Sequence, residues 1–206
     1  MSSIAGYCRI VDEGIFVNGS LVAAFPSGDA TEKLTGFYKQ AGIEYPKFYK
    51  MDLLSKAAFL SVEMLKKQFS YLEECADDAV GLLFANSESS SDTDLKFRES
   101  YEKDQLPSPS LFVYTLPNIA MGEVAIRNKW YGANMFAVFP NFAPAYFVEY
   151  GSLMLQRGSA YLIGGWVDVR EQLDVLFFLA DGVMAADQPN AIIQLESIYH
   201  SHRNIK

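Results

Sequence analysis

The chain has 206 residues, enough for one α/β domain, and carries a net charge of −8. Because phosphate backbones and anionic membrane surfaces both attract clustered Lys and Arg, this charge argues against nucleic acid and membrane partners. Half of the residues are apolar and only 20% are charged, a smaller charged fraction than soluble domains usually have. We therefore expect an apolar face that contacts another protein, in addition to a core.

The beginning of the sequence lacks the basic segment and cleavable apolar run that a secretion signal requires. The longest apolar stretch, around 173–186, is interrupted by Asp and Gly and is too short to span a bilayer. No internal repeat or long linker divides the chain. These features predict a single cytoplasmic domain that covers residues 1–206.

The first third of the sequence opens with a predicted strand. Residues 4–11 are β-branched and apolar, and a turn at 12–14 leads to a short second arm at 15–19. The Gly-, Lys- and Tyr-rich segment 27–50 is typical of a loop that carries at most a short helix. Apolar residues then repeat at intervals of three and four over 51–69, which predicts an amphipathic helix.

The middle of the sequence begins with a continuous apolar run at 79–86, as a buried strand would have. The polar segment 87–94 indicates a loop, and its Asp and Thr residues suit the N-cap of a helix over 95–103. A further helix is expected from about 118 to 128.

A second buried strand is predicted at 133–140. It leads to a helix over 141–158, for which Asn141 is a strong N-cap and Pro144 fits the first turn. The last predicted helix covers 188–200.

The predicted strands alternate with helices and are mostly continuous apolar runs. This pattern indicates a three-layer α/β/α architecture, with helices on both faces of a mainly parallel sheet. Only two residues separate the strands predicted at 159–169 and 172–181, too few for a parallel crossover, so this pair should be antiparallel. We expect a mixed five-stranded sheet with one antiparallel edge.

Common sequence motifs of enzymes are absent: there is no GxGxxG, Walker, GxSxG or HExxH pattern. The serine-rich run 87–91 lacks the glycines and the Lys of a phosphate loop. Cys8 and Cys75 lie in apolar surroundings, which is typical of structural free thiols. His200 and His202 make a poor metal site without further ligands. We expect neither a cofactor nor a metal.

A more specific pattern runs through the middle of the chain. The segment Leu116–Ile126 is followed by Gly132-Ala133-Asn134, a strand, a helix start and then Gly164-Gly165, and an earlier helix opens at Met51-Asp52. This order resembles the N-terminal half of β-ketoacyl-[acyl carrier protein] synthases, members of the thiolase-like superfamily. The resemblance covers roughly residues 4–169 and implies a thiolase-like half domain.

The resemblance also implies that the catalytic apparatus is degenerate. In ketosynthases, the strand after the Gly-Pro-Asn turn delivers a catalytic cysteine, and here that position is Asn141. A carboxamide cannot attack a thioester, whereas condensing enzymes need a thiolate. The two histidines of the family's second half have no matching motif, and its Gly-Gly-Thr-Glu segment reads Gly164-Gly165-Trp166-Val167. We interpret Asn141 as a degenerate nucleophile position that caps a helix, in an inactive subunit similar to chain length factors.

In the family, the strand before the nucleophile pairs with its counterpart at a dimer two-fold axis. The strand at 133–140 and the helix after it carry apolar side chains that suit such a contact. The candidate interface residues are Met135, Phe136, Val138, Phe139, Phe142 and Tyr146. The implied partner is a full-length ketosynthase, or a second copy of the chain, in fatty acid or aryl-polyene-type polyketide biosynthesis. Acyl carrier protein is a further candidate partner.

Two other functions stay open at the level of sequence. The first is a small acyltransferase or thioester hydrolase that uses an unassigned nucleophile such as Cys8 or Ser87. The second is a homodimeric scaffold without acyl chemistry. Reactivity with an acyl-thioester probe distinguishes the first of these, and the stoichiometry of the assembly distinguishes the second.

Overall fold

The computed structural model describes residues 3–103 and 105–201, and the strands of these segments form one sheet. The strands are β1 (Gly6–Val11), β2 (Gly14–Val17), β3 (Ser20–Ala24), β4 (Val80–Asn86), β5 (Asn134–Val138), β6 (Tyr161–Asp168) and β7 (Asp174–Ala180). The α-helices are α1 (Ala30–Gln40), α2 (Leu53–Gln68), α3 (Ser91–Glu102), α4 (Pro109–Val113), α5 (Ile119–Asn128), α6 (Pro144–Gln156), α7 (Gly182–Ala186) and α8 (Gln188–His200). Short 3-10 helices cover Pro46–Lys50 and Ser70–Glu73.

The sheet has seven strands in the order β3-β2-β1-β7-β6-β4-β5. The prediction of five strands was therefore wrong. The prediction of a mainly parallel sheet was also wrong, because only β5 and β6 run parallel to their common neighbour β4. The other neighbouring strands are antiparallel. The predicted antiparallel pairing of the last two strands, β6 and β7, is confirmed.

The additional strands arise from a hairpin between β2 and β3. Asn18 and Gly19 connect these strands with φ angles of 49° and 82°. An Asn-Gly loop with two positive φ angles matches the twist of antiparallel strands, which is why this dipeptide is a strong hairpin signal. The Asn18 side chain also accepts a hydrogen bond from the Tyr7 backbone N–H at 2.8 Å, which ties the turn to β1.

Helices cover both faces of the sheet, as the three-layer prediction required. Helices α1, α2 and α5 contribute to one core, and α6, α7 and α8 contribute to the other. Strand β4 shows why both cores form, since Leu82 and Phe84 face the first core while Leu83 and Ala85 face the second. Helix α2 packs on β1, β6 and β7, and its middle turns are buried on all sides.

The Gly-Gly pair of β6 has a packing role. Gly164 and Gly165 lie opposite Phe178 and Phe177 of β7. A Cβ atom at Gly164 would overlap the Phe178 ring, and one at Gly165 would lie 2.5 Å from the Phe177 ring. The two phenylalanine rings therefore occupy, on opposite faces of the sheet, the space that the glycines leave.

Several helix boundaries differ from those predicted. Helix α1 is the helix of the segment 27–50, for which a loop with a short helix was predicted. It begins with a capping box in which Asp29 and Glu32 accept each other's backbone N–H. Helix α3 begins at Ser91 rather than at residue 95. In the two described segments, no helix is both long and apolar enough to cross a bilayer.

Candidate functional site

The carboxyl ends of β4, β5 and β6 surround a pocket of about 170 Å³. These ends meet at one edge of the sheet because the three strands are parallel, and ligands of open α/β sheets commonly bind at such an edge. The pocket is lined by Ser87, Glu88, Pro140, Asn141, Trp166, Asp168, Arg170, Glu171, Gln172, Asp174 and Tyr199.

Asn141 lies in the loop between β5 and α6, where it is exposed and lines the pocket. The prediction that it caps the following helix was wrong. Helix α6 begins three residues later at Pro144, its N-cap residue is Ala143, and no side chain caps it. Pro144 explains the difference, because proline suits the first helical turn and requires an extended residue before it. The Asn141 amide is therefore not engaged in capping α6.

Ser87 and Asp168 form the closest polar contact of the pocket. Ser87 follows the last residue of β4, and Asp168 is the last residue of β6. The Ser87 backbone N–H donates to Asp168 Oδ1 at 2.9 Å, and the Ser87 hydroxyl donates to Oδ2 at 3.0 Å. Burial raises the pKa of Asp168, although the two hydrogen bonds from Ser87 lower it in part. The carboxylate is thus held in a fixed plane next to a hydroxyl.

Trp166 lines the same pocket, two residues before Asp168 on the same face of β6. Its side chain is 1% exposed, and its indole Nε1 has no hydrogen-bond partner among the described residues. A buried N–H group without an acceptor costs roughly 1–3 kcal/mol. The nitrogen atom itself is buried, so this N–H is closed to a ligand in the pocket.

A buried network forms another wall of the pocket. Arg9 of β1 donates to Asp174 Oδ1 at 2.5 Å, and the Tyr199 hydroxyl donates to Asp174 Oδ2 at 2.7 Å. The Arg9 guanidinium also lies 4.9 Å from the centre of the Tyr199 ring. Tyr199 in turn stacks on Phe142 with 4.1 Å between ring centres. The network therefore neutralises Asp174 and holds helix α8 against the loop that carries Asn141.

The strand before Asn141 lies at an edge of the sheet. Strand β5 pairs with β4 on one side, and no strand of the described segments pairs with its other side. Val138 is 50% exposed there, whereas Met135 and Phe136 are half-buried. Phe139 and Phe142 are also half-buried, but Tyr146 packs on the Phe139 ring inside the chain and is buried. Of the candidate interface residues, Val138 therefore offers the most surface to a partner.

The structure argues against the cysteines as nucleophiles. Cys8 lies in the middle of β1 with no exposed surface, and burial raises the pKa of its thiol to about 12. Burial also raises the pKa of Cys75, and its thiol donates to the Tyr71 carbonyl at 3.4 Å. Neither cysteine lines the pocket, and a thiol with a raised pKa forms less of the reactive thiolate.

One of the two histidines, His200, lies among the described residues. His200 lies at the end of α8, where it is exposed and lines a second pocket of about 240 Å³ that also includes Asn141. His202 lies outside the described residues. Within residues 3–103 and 105–201, no group of three His, Cys, Asp or Glu residues is placed to hold a metal ion.

No model of a protein family matches the sequence, and no curated protein matches it either. Solved structures do resemble the fold. One is a type II polyketide synthase acyl carrier protein in complex with its ketosynthase bound to the hexaketide (AntDE:AntF), with a TM-score of 0.60 and 14% identity. That match covers 91% of this chain and 64% of the other, so this chain spans less than two thirds of the length of its structural relative.

Another similar structure is the ketosynthase ApeO in complex with its chain length factor ApeC from Xenorhabdus doucetiae. Its TM-score is 0.54 at 10% identity, and the match covers 86% of this chain and 77% of the other. At such identities the similarity concerns the fold. The chain has the mixed α/β fold of ketosynthases and chain length factors, as the resemblance in sequence implied.

Proposed function

We propose that this chain is a ketosynthase-like subunit, non-catalytic in condensation, that binds an active ketosynthase through the outer edge of β5. The proposal treats residues 1–206 as one cytoplasmic domain that acts in fatty acid or aryl-polyene-type polyketide biosynthesis. The exposed, uncharged edge of β5 is the observation that carries it.

The composition of β5 suits strand pairing with another subunit. The strand reads Asn-Met-Phe-Ala-Val and contains no charged residue, proline or glycine. Sheet edges that avoid association usually carry such residues. No strand of the described segments pairs with its outer side, and Val138 adds apolar surface there. A specific interface buries about 1,600 Å² in total, so the partner must extend beyond this strand.

The chemistry at position 141 supports a role without condensation. Asn141 lies at the pocket, where the resemblance places the nucleophile, and it offers an amide instead of a thiol. The similar structures contain a ketosynthase with its chain length factor and a ketosynthase with its acyl carrier protein. These assemblies favour a ketosynthase as the partner and make acyl carrier protein a second candidate.

The substitution Val138→Lys tests the proposed edge. A matched control is Val22→Lys, because Val22 is 47% exposed on β3 at the opposite edge of the sheet. The chain is mixed with a ketosynthase from the same genome, and the mass of the complex is measured by sedimentation. We expect a 1:1 complex with the unmodified chain and with Val22→Lys, and an affinity at least tenfold lower with Val138→Lys. An unmodified chain that stays monomeric and binds no ketosynthase contradicts the proposal.

A homodimer through the same edge is the second candidate. The absence of charge in β5 permits two copies of the strand to pair without repulsion. Sedimentation of the chain alone distinguishes the two, since a stable homodimer that does not exchange with a ketosynthase favours a scaffold.

The purified chain should form no condensation or decarboxylation product from malonyl and acyl carrier-protein thioesters. Position 141 has no thiol, and Cys8 is buried. Product formation is followed by mass spectrometry, with an active ketosynthase as the positive control. A product that disappears in the Cys8→Ser or Cys75→Ser variant would overturn this expectation.

A further inference from the structure

The pocket contains a pair of groups that the loss of a cysteine at position 141 does not affect. We propose that Ser87 and Asp168 act as nucleophile and general base in the hydrolysis of short acyl esters and thioesters. This activity is independent of the β5 edge and therefore of the proposed association.

The geometry of the pair is that of a nucleophile and its base. The Ser87 hydroxyl donates to Asp168 Oδ2 at 3.0 Å, within the distance at which a base removes a proton. The second hydrogen bond, from the Ser87 backbone N–H to Oδ1, fixes the orientation of the carboxylate. Ser87 is only partly buried and lines the pocket, so its hydroxyl lies beside the space that a substrate would occupy.

The surrounding charges leave Asp168 as the basic group. Glu88 forms an ion pair with Arg170 at 3.2 Å, and Asp174 forms one with Arg9. Each of these two carboxylates therefore has a cationic partner. Asp168 has no cationic partner among the described ion pairs, and burial raises its pKa, which makes the carboxylate a better proton acceptor.

One side-chain donor lies exposed at the pocket with this pair. It is the Asn141 amide, which does not cap α6. Donors beside a nucleophile stabilise the negative charge that develops on a carbonyl oxygen during attack.

The size and charge of the pocket define the substrate class. Its volume of about 170 Å³ is well below the roughly 300–1,000 Å³ of pockets that enclose drug-sized ligands. Its walls carry the carboxylates of Glu88, Asp168, Glu171 and Asp174 against one guanidinium, that of Arg170, so negative charge predominates. We therefore assign a short, uncharged acyl group such as acetyl. A malonyl group would be repelled, and an octanoyl chain would find neither the length nor an apolar wall.

The reaction balances with water as the only co-reactant. Ser87 Oγ attacks the carbonyl carbon while its proton moves to Asp168, and the carbon–sulfur or carbon–oxygen bond breaks. The leaving thiolate or alkoxide takes the proton from Asp168. Water then attacks the acyl-serine ester with Asp168 as base, which releases the carboxylic acid and restores the Ser87 hydroxyl.

The experiment compares four forms of the chain in the hydrolysis of acetyl, malonyl and octanoyl N-acetylcysteamine thioesters. They are the unmodified chain, Ser87→Ala, Asp168→Asn and, as the matched control, Ser91→Ala, whose hydroxyl donates to Glu88 outside the pair. We expect acetyl hydrolysis by the unmodified chain and the control, and about a hundredfold loss in the other two. The unmodified chain should also acquire one fluorophosphonate label at Ser87, located by peptide mass spectrometry.

The outcomes separate a catalytic pair from a structural one. Equal hydrolysis by the unmodified chain and Ser87→Ala, or the absence of a label at Ser87, overturns the proposal. If Ser87→Ala or Asp168→Asn does not fold, Ser87→Cys decides the matter, since its hydrolysis should become sensitive to iodoacetamide. Val138→Lys should retain full hydrolysis, and Ser87→Ala should retain association, so failure of one proposal leaves the other measurable.

Discussion

The two edges of the sheet are built in different ways, although both expose valine. The β3 edge belongs to a local hairpin, and a β-bulge between Ile15 and Phe16 interrupts the pairing of β2 with β3. A bulge increases the local twist and so disfavours the addition of a further strand. The β5 edge pairs with β4 in a regular parallel register. The comparison indicates that the chain protects one edge by itself and leaves the other suited to a partner.

The largest expected effect on stability concerns the buried network of Arg9, Asp174 and Tyr199, which links β1 to β7 and α8. Arg9→Met would remove the guanidinium that pairs with the buried Asp174 carboxylate, and breaking a buried ion pair costs roughly 3–5 kcal/mol. Urea unfolding measures the loss. The control Arg98→Met, in an exposed pair with Glu102, should change stability by well under about 1 kcal/mol. Equal losses in both variants would contradict the role of the network.

A smaller effect is expected at the hairpin turn. Gly19 has a φ angle of 82°, so Gly19→Ala should lower stability by about 1 kcal/mol. Gly36→Ala is the matched control, because Gly36 lies inside helix α1 and an added Cβ would meet no atom within 4 Å. That substitution should raise stability by roughly 0.5–1 kcal/mol. Thermal melts that shift in the same direction for both variants would show that the turn conformation is not the cause.

The smallest effect is expected next to β5. Since Asn141 does not cap α6, Asn141→Ala should change the unfolding free energy by less than about 0.5 kcal/mol. Asp52→Ala is the comparison, because Asp52 does cap α2 by accepting the Ser55 backbone N–H, and its removal should cost about 1 kcal/mol. A loss of that size at Asn141 would restore the capping interpretation.

Sequence reasoning succeeded where local pattern determines structure. The apolar run 79–86 is strand β4, and the short connection after β6 forces β7 to be antiparallel. Asn18-Gly19 is an equally local signal, and the single arm predicted over 15–19 is in fact strand β2 followed by this turn. Asn141 is a good capping residue by type, but Pro144 is the first residue of α6, so the helix begins three residues beyond the predicted cap.

The candidate site could not be predicted in the same way. Ser87 and Asp168 are 81 residues apart, and their contact depends on β4 and β6 being parallel neighbours. Arg9 and Asp174 are 165 residues apart and meet only because β1 joins β7. Nothing in the sequence around Ser87 or Asp168 indicates that the two residues are in contact. The contact is known only once the order of the strands in the sheet is known.

The packing of the β7 phenylalanine rings on the β6 glycines restricts which substitutions can be accepted during evolution. Because Gly164 leaves the space that Phe178 fills, a side chain cannot be gained at one position without volume being given up at the other. Gly164→Ala alone should therefore be poorly tolerated, whereas Gly164→Ala combined with Phe178→Leu should recover part of the loss. Among related chains, the two positions are expected to covary, with small and large residues exchanged together across the two strands.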